Sequence, residues 1–160
     1  MMFRIRRIHD DARPVDQNSI EQVKAIMKSH FSTLSEEKLD EVSMQLKDPL
    51  KYRFRTILCV AENSADTLLG FALLMYAPDL HFCFLDYIAT IKNTISAGFG
   101  GAFYQKVREE AIDLKCMGLF FECLPDEPEL CRESSLLQQN KARLRFYEKY
   151  RAFPLINRQN

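Results

Sequence analysis

No run of apolar residues in this chain approaches the roughly 18 that a membrane-spanning helix needs, so none of the 160 residues is expected to cross a bilayer. Net charge is lacking as well: 22 Lys and Arg balance 22 Asp and Glu. That balance removes the basic footprint through which a chain binds nucleic acid non-specifically, and no nucleic-acid partner is expected. The opening MMFRIRRIHDD has basic residues but no apolar core region, so no secretory signal is expected there. Cysteine pairs are missing too. Cys59, Cys83, Cys116, Cys123 and Cys131 are odd in number and show no C-x-x-C spacing. Three of them lie in apolar stretches. This points to buried free thiols in a reducing compartment, hence a cytoplasmic chain, rather than disulfides or zinc. His9, His30 and His81 are scattered and share no metal-ligand spacing, so no metal is expected. No repeat, low-complexity tract or interdomain linker interrupts the sequence.

What is present fits one globular domain, residues 1–160, with a sizeable core: 47% of residues are hydrophobic and 28% charged. The organising stretch is residues 81–114. Residues 81–89 are rich in Phe, Leu, Tyr and Ile and read as a buried strand. Residues 90–101 form a loop of small residues that holds three of the five glycines: Gly98, Gly100 and Gly101. Residues 102–114 read as a helix, with Phe103, Val107, Ala111 and Leu114 at helical spacing. A helix start has N–H groups without intrahelical partners and a partial positive charge. Glycines let an anion approach such backbone closely, so this loop is a candidate phosphate cradle. It is not a P-loop, because no Lys follows the glycines. It is not a dinucleotide fingerprint either, because Phe103 stands where the third Gly or Ala belongs.

The remaining elements follow from periodicity and turn chemistry. Phe3, Ile5 and Ile8 suggest a first strand, and Pro14 closes the loop after it. Asn18 or Ser19 is the expected cap of a helix whose face is Ile20, Val23, Ile26 and Met27. Ser35 is the expected cap of a second helix carrying Leu39, Val42 and Leu46. Residues 52–62 and 68–76 read as strands around a polar turn at 63–66, and with 81–89 they should form an antiparallel meander. After the glycine-loop helix, 119–124 reads as a fifth strand, parallel to the one before the helix. A polar insertion at 126–139 holds a short helix near 134–139. A last helix covers 140–150, with Asn140 at its start, and 153–156 begins a further strand.

The loop Ile95-Ser96-Ala97-Gly98-Phe99-Gly100 resembles the acetyl-CoA pyrophosphate loop of the GNAT N-acetyltransferase superfamily, whose usual form is Arg/Gln-x-x-Gly-x-Gly/Ala. Both small positions match; Ile95 replaces the Arg or Gln. The element order β-α-α-β-β-β-α-β-α-β is also that of the GNAT fold. A C-terminal run of Asn140-Lys141-Ala142, Phe146-Tyr147 and Tyr150-Arg151-Ala152-Phe153 resembles the family's last helix, with Ala152 where Gly is common. The resemblance implies an α/β (α+β) acyl-CoA N-acyltransferase fold, a mixed and mostly antiparallel sheet flanked by helices. It implies transfer of an acetyl group from acetyl-CoA to an amine acceptor of a small molecule, peptide or protein. The alternative is a non-catalytic acyl-CoA-binding module of the same fold.

The same resemblance implies site residues. Pyrophosphate would lie on Ile95, Ser96, Ala97, Gly98, Phe99, Gly100 and Gly101. The pantetheine arm would add as a pseudo-strand at Ile88, Ala89 and Thr90, where the fourth strand splays from the fifth at a bulge. Asn140 and Phe146 would contact the cofactor, and Tyr147 would protonate the departing thiolate. The acceptor amine must lose a proton, and two acids within expected strands are candidate bases, Asp86 and Glu122. Each alternates with apolar neighbours, an environment that raises a carboxyl pKa. The resemblance also implies that a complete domain ends in a hairpin for which residues 157–160 are too few. The C-terminal hairpin is therefore expected to be incomplete and the edge of the fifth strand, with Phe120, Phe121 and Leu124, to be covered by a second copy or a further domain.

Overall fold

The computed structural model describes residues 2–91 and 98–155. The chain divides into two compact units, Met1–Phe121 and Glu122–Asn160.

The first unit is a sheet with helices on both faces. Its strands are β1 (Phe3–Ile8), β2 (Arg55–Asn63), β3 (Leu68–Ala77), β4 (Phe82–Thr90) and β5 (Gly118–Phe120), and its helices are α1 (Pro14–His30), α2 (Glu36–Lys47) and α3 (Phe99–Asp113). The spatial order is β1-β2-β3-β4-β5. The first four strands pair antiparallel, and β4 and β5 pair in parallel, as expected for strands joined through a helix.

Each face is built by strand alternation. Ile8, Leu58, Val60, Phe71, Leu73 and Ala89 meet Ile20, Val23, Met27, Leu39, Val42 and Leu46 of α1 and α2 in one cluster. Alternate residues turn the other way: Arg7 reaches Glu110 of α3 at 3.9 Å, and Phe3 meets Phe99 edge to face at 4.9 Å. Seven consecutive β2 residues are buried, which is why this strand reads as a continuous apolar run rather than an alternating one.

Helix boundaries follow cap chemistry. Ser35 caps α2 by accepting the Lys38 N–H at 3.2 Å, as its sequence position predicts. The cap of α1 does not lie at Asn18 or Ser19. Pro14 opens that helix, where a missing N–H costs nothing and φ is already helical. The Ser19 hydroxyl instead donates to the Glu62 carboxylate at 2.6 Å, with the Val15 carbonyl as the other acceptor in reach at 3.0 Å.

Ser19 belongs to a buried ionic network that the sequence reading did not anticipate. Glu62 is fully buried at the end of β2. It accepts from Arg6 Nε and Nη2, each at 2.9 Å, and from Arg4 at 3.3 Å. Arg6 also pairs with Asp16 of α1, whose other oxygen accepts from Arg13 at 2.6 Å. Burial alone would raise both carboxyl pKa values, but the arginine hydrogen bonds outweigh it and hold Asp16 and Glu62 below the usual carboxylate range. The signal was a carboxylate ending an apolar strand, a residue type seldom buried without a partner.

At the β3–β4 junction Gly70 lies opposite Thr90, and a Cβ there would sit 2.8 Å from the Ala89 carbonyl oxygen. Gly70→Ala therefore forces β3 and β4 apart and should cost about 1–3 kcal/mol of stability by chemical denaturation. An unchanged midpoint would show that the sheet yields without cost.

The second unit holds α4 (Ser134–Lys149). The short helix expected near 134–139 and the one expected from 140 are a single element, since no Gly or Pro separates them. Asn140 therefore lies inside a helix rather than at its cap. Residues 152–155 carry no strand, and Ile156 lies outside the described residues.

Candidate functional site

The strand β4 is nine residues long, but β5 pairs only with its first three, Phe82, Phe84 and the intervening Cys83. Beyond Phe84 no ladder to another strand continues on that edge among the described residues. The two strands thus part company, and the open edge runs through Ile88, Ala89 and Thr90. On its other side β4 stays paired with β3 through Thr90.

The β3–β4 register shifts where the strands part. Leu73 pairs with Tyr87 and Leu74 with Leu85, so Asp86 is an extra residue in β4. Such a bulge reverses the alternation that follows it. Tyr87 and Ala89 consequently pack on the α1–α2 side, where Tyr87 meets Phe31 edge to face at 5.0 Å. The bulge at Asp86 therefore interrupts the simple alternation that placed it on one face with Phe82, Phe84 and Ile88. Burial, and then the Asp86 charge, push the Tyr87 phenol pKa up. Lys38 is raised chiefly by its hydrogen bond to Glu41, with Asp86 and Tyr87 adding to the effect. Asp86, Tyr87, Lys38 and Glu41 thus form one electrostatic neighbourhood beside the bulge.

The helix α3 begins next to this edge in sequence. Its N-cap is Gly98, held at φ 104°, a conformation open to Gly and strained for other residues. Among the described residues no side chain caps the helix, and its first turn carries no acidic residue. Among the described residues, a Cβ added at Gly98 or Gly100 would meet nothing within 4 Å. Gly101 and Phe99 are buried, with Phe99 stacked on Phe103 at 6.1 Å. The described glycines thus form a helix start with no described atom against the Gly98 or Gly100 position. Ile95, Ser96 and Ala97 lie outside the described residues.

Within the second unit, Asn140 and Tyr147 are both buried and stand two turns apart on one face of α4. Asn140 Nδ2 donates to the Pro125 carbonyl at 2.8 Å, while its Oδ1 is buried without a hydrogen-bond partner among the described residues. A buried acceptor left unsatisfied costs about 1–3 kcal/mol, so such an atom suits a ligand donor. Phe146 meets Tyr147 and Tyr150, at 5.3 and 5.1 Å between ring centroids. The turn after α4 places Arg151, not Ala152, in the left-handed region, at φ 61°. The Ala152 N–H then closes back on the Tyr147 carbonyl at 3.1 Å.

Glu122 differs from its sequence expectation. The strand β5 ends at Phe120, so Glu122 lies beyond it and is exposed. The desolvation that favoured it as a base is therefore missing. Phe120 and Phe121 are not a bare apolar edge either. Phe120 meets Phe82 and Phe121 meets Tyr104, both edge to face, at 5.8 and 6.2 Å. Leu124 is 51% exposed. A separate cavity of about 300 Å³, lined by residues including Arg7, His9, Arg55 and Thr56, lies at the β1–β2 end of the sheet, away from the β4 edge.

The sequence matches no protein-family model and no curated protein. Its fold, however, is that of solved GNAT acetyltransferases. The PaiA N-acetyltransferase of Thermoplasma acidophilum, solved in complex with coenzyme A, is 12% identical, covers 100% of this chain and 94% of its own, and superposes with a TM-score of 0.62. The ribosomal-protein-alanine N-acetyltransferase of Brucella melitensis is 14% identical, with coverage of 99% and 96% and a TM-score of 0.61. A protein of Pyrococcus furiosus assigned as an acetyl transferase is 19% identical, with 99% coverage of both chains and a TM-score of 0.61.

Proposed function

We propose that this chain, built on the GNAT fold, is an acetyl-CoA-dependent N-acetyltransferase acting by direct transfer to an amine. The observation that carries the reading is the parting of β4 and β5 beside a glycine-opened helix. A pantetheine arm needs a strand edge for its amides, and a pyrophosphate needs free helical N–H groups. What supports these two roles is the β4 edge at Ile88, Ala89 and Thr90, which carries no β5 ladder among the described residues, and the helix start at Gly98, Phe99, Gly100 and Gly101. Within the second unit, the buried Asn140 Oδ1 is by itself an acceptor of the kind a pantetheine amide would use. One neighbour of the same fold is solved with coenzyme A.

The bound thioester supplies an activated acetyl group; this chain's residues handle protons and orientation. As the acceptor nitrogen bonds to the acetyl carbon and the C–S bond breaks, the nitrogen must give up a proton and the sulfur must gain one. Asp86, on the bulge at the open edge, takes the first role, directly or through water. Tyr147 takes the second, donating its phenolic proton to the thiolate. Of the two acids the sequence offers, Asp86 is favoured because it lies within the splayed segment, whereas Glu122 is exposed beyond β5. The uncapped thiols Cys59, Cys83, Cys116, Cys123 and Cys131 suit a reducing, cytoplasmic compartment.

The test is calorimetric binding of CoA together with transfer of labelled acetyl groups to a panel of amines. Gly100→Glu should weaken CoA at least roughly tenfold, because a carboxylate is set against the pyrophosphate. The fold should survive it, since a Cβ at Gly100 meets none of the described residues and an acid suits a helix N-terminus. Wild-type CoA affinity in that folded variant would refute the cradle. CoA binding without transfer to any amine would favour a non-catalytic acyl-CoA module, the reading to which Ile95 in place of Arg or Gln lends weight.

A further inference from the structure

The sequence offers no paired cysteine spacing, yet the fold brings two thiols together. Cys83 Sγ, on β4, lies 3.3 Å from Cys116 Sγ, on the turn between α3 and β5. The two residues are 33 apart in sequence. Among the described residues this is the one contact between two of the five cysteines. We infer that Cys83 and Cys116 form an oxidisable pair that closes to an intramolecular disulfide, pinning β5 to the base of β4.

The geometry supports this on three counts. A disulfide bond is about 2.05 Å long, so the sulfurs need to close by only about 1.3 Å. Their backbones are already fixed on both sides. Cys83 is in the β3–β4 ladder opposite Tyr76 and beside Leu119 of β5. The Cys116 N–H bonds to the Ala111 carbonyl at 3.0 Å, and the next residue, Met117, bonds to His81 at 2.6 Å. Access is also graded: Cys83 is fully buried, and Cys116 is partly exposed.

That grading sets the order of events with a hydroperoxide as oxidant. The Cys116 thiolate attacks the peroxide, the O–O bond breaks, and Cys116 becomes a sulfenic acid with release of one water. Cys83 then attacks that sulfur, the S–OH bond breaks, and a second water leaves. Two thiols and one hydrogen peroxide thus yield one disulfide and two waters. Burial, and in the reduced pair the neighbouring Cys116 thiol, raise the Cys83 thiol pKa; burial persists once Cys116 is a sulfenic acid, so the second step is slow at neutral pH and quickens as pH rises. In a reducing compartment the pair rests as thiols.

The crosslink has a mechanical meaning. Among the described residues three ladder pairs hold β5 to β4, and no ladder continues on that edge directly beyond them. A covalent link at Cys83 secures the closed end of the splay and leaves Ile88, Ala89 and Thr90 untouched. Oxidation should therefore firm the sheet without obstructing that edge.

The full chain is treated with hydrogen peroxide, and its remaining thiols are counted by alkylation and peptide mass mapping. The expected result is a fall from five free thiols to three, with a Cys83–Cys116 peptide two hydrogens lighter than the sum of its parts and restored by dithiothreitol. Tm should rise by roughly 5 °C or more, and amide exchange at Leu119 and Phe120 should slow. Cys116→Ser should keep its remaining thiols under the same treatment. Because that variant can lose stability, the wild-type peptide map decides the matter alone. Five intact thiols, a crosslink between other cysteines, or Cys116 sulfonate with Cys83 still reduced would each overturn the inference.

Discussion

Glu62→Ala should destabilise the fold by about 3–5 kcal/mol, the usual cost of removing one partner from a buried ion pair. Glu62 is fully buried, and its carboxylate gathers Arg4, Arg6 and Ser19 into one network with Asp16. Without it, Arg6 keeps Asp16 but loses two hydrogen bonds at a site shielded from water. Glu62→Gln fills nearly the same volume and should cost about 1.5–3 kcal/mol, the range for a hydrogen bond to a charged group. The pair of variants separates lost charge from an empty cavity. Acid should have the same effect on the wild type. Asp16 and Glu62 have folded pKa values below their unfolded values of about 4. The unfolded chain thus binds more protons as pH drops. The stability these groups contribute is present above about pH 4 and is lost as pH falls through their folded values. Glu62→Ala should flatten that slope. Denaturant titrations at several pH values measure both effects, and a loss below about 1 kcal/mol at neutral pH would mean that the network is energetically neutral.

Tyr147→Phe should lower kcat by roughly ten- to a thousandfold if Tyr147 is the proposed acid. The free thiol of the leaving group has a pKa of about 8.5, so its thiolate departs without extreme help, and the lower part of the range for acid catalysis is the reasonable expectation. The ring should hold its place, because Tyr147 is buried and packs edge to face on Phe146. CoA affinity should barely change, since the hydroxyl acts on the sulfur as it leaves. The measurements are kcat at saturating acceptor and calorimetric CoA binding on the same preparation. Wild-type kcat would exclude an essential acid, and a matching loss of CoA affinity would assign the hydroxyl to binding instead.

Much of the fold was legible in the sequence because its signals are local. Leu39, Val42 and Leu46 repeat at helical spacing, and Ser35 carries the hydroxyl its cap needs. Gly98 permits the positive φ from which α3 starts. Short polar turns between apolar runs dictated the meander, and an intervening helix dictated the parallel β4–β5 pair. These features depend on residues within a few positions of one another, so a reading along the chain finds them.

Other features depend on residues that only the folded backbone brings together. The sequence placed Asp86 on one face with Phe82, Phe84 and Ile88, but the bulge against Leu73 and Leu74 interrupts that alternation, because register is a property of two strands. It placed Glu122 among apolar neighbours, but β5 ends two residues earlier and leaves it exposed. It showed Glu62 only as the end of an apolar run; the arginines and serine that make burial tolerable come from β1 and α1. The separation of 33 residues hid the Cys83–Cys116 contact altogether. By itself the sequence determined the elements from β1 to α3, their order and the glycine-opened helix, since backbone propensity and side-chain periodicity act over a turn or a pleat; it overran β5, split α4 in two and placed a strand at 153–155 where none forms. The tertiary structure alone decided where the strands part, which carboxylates are buried and which thiols touch, since those follow from cross-strand register and from packing between residues far apart in the chain.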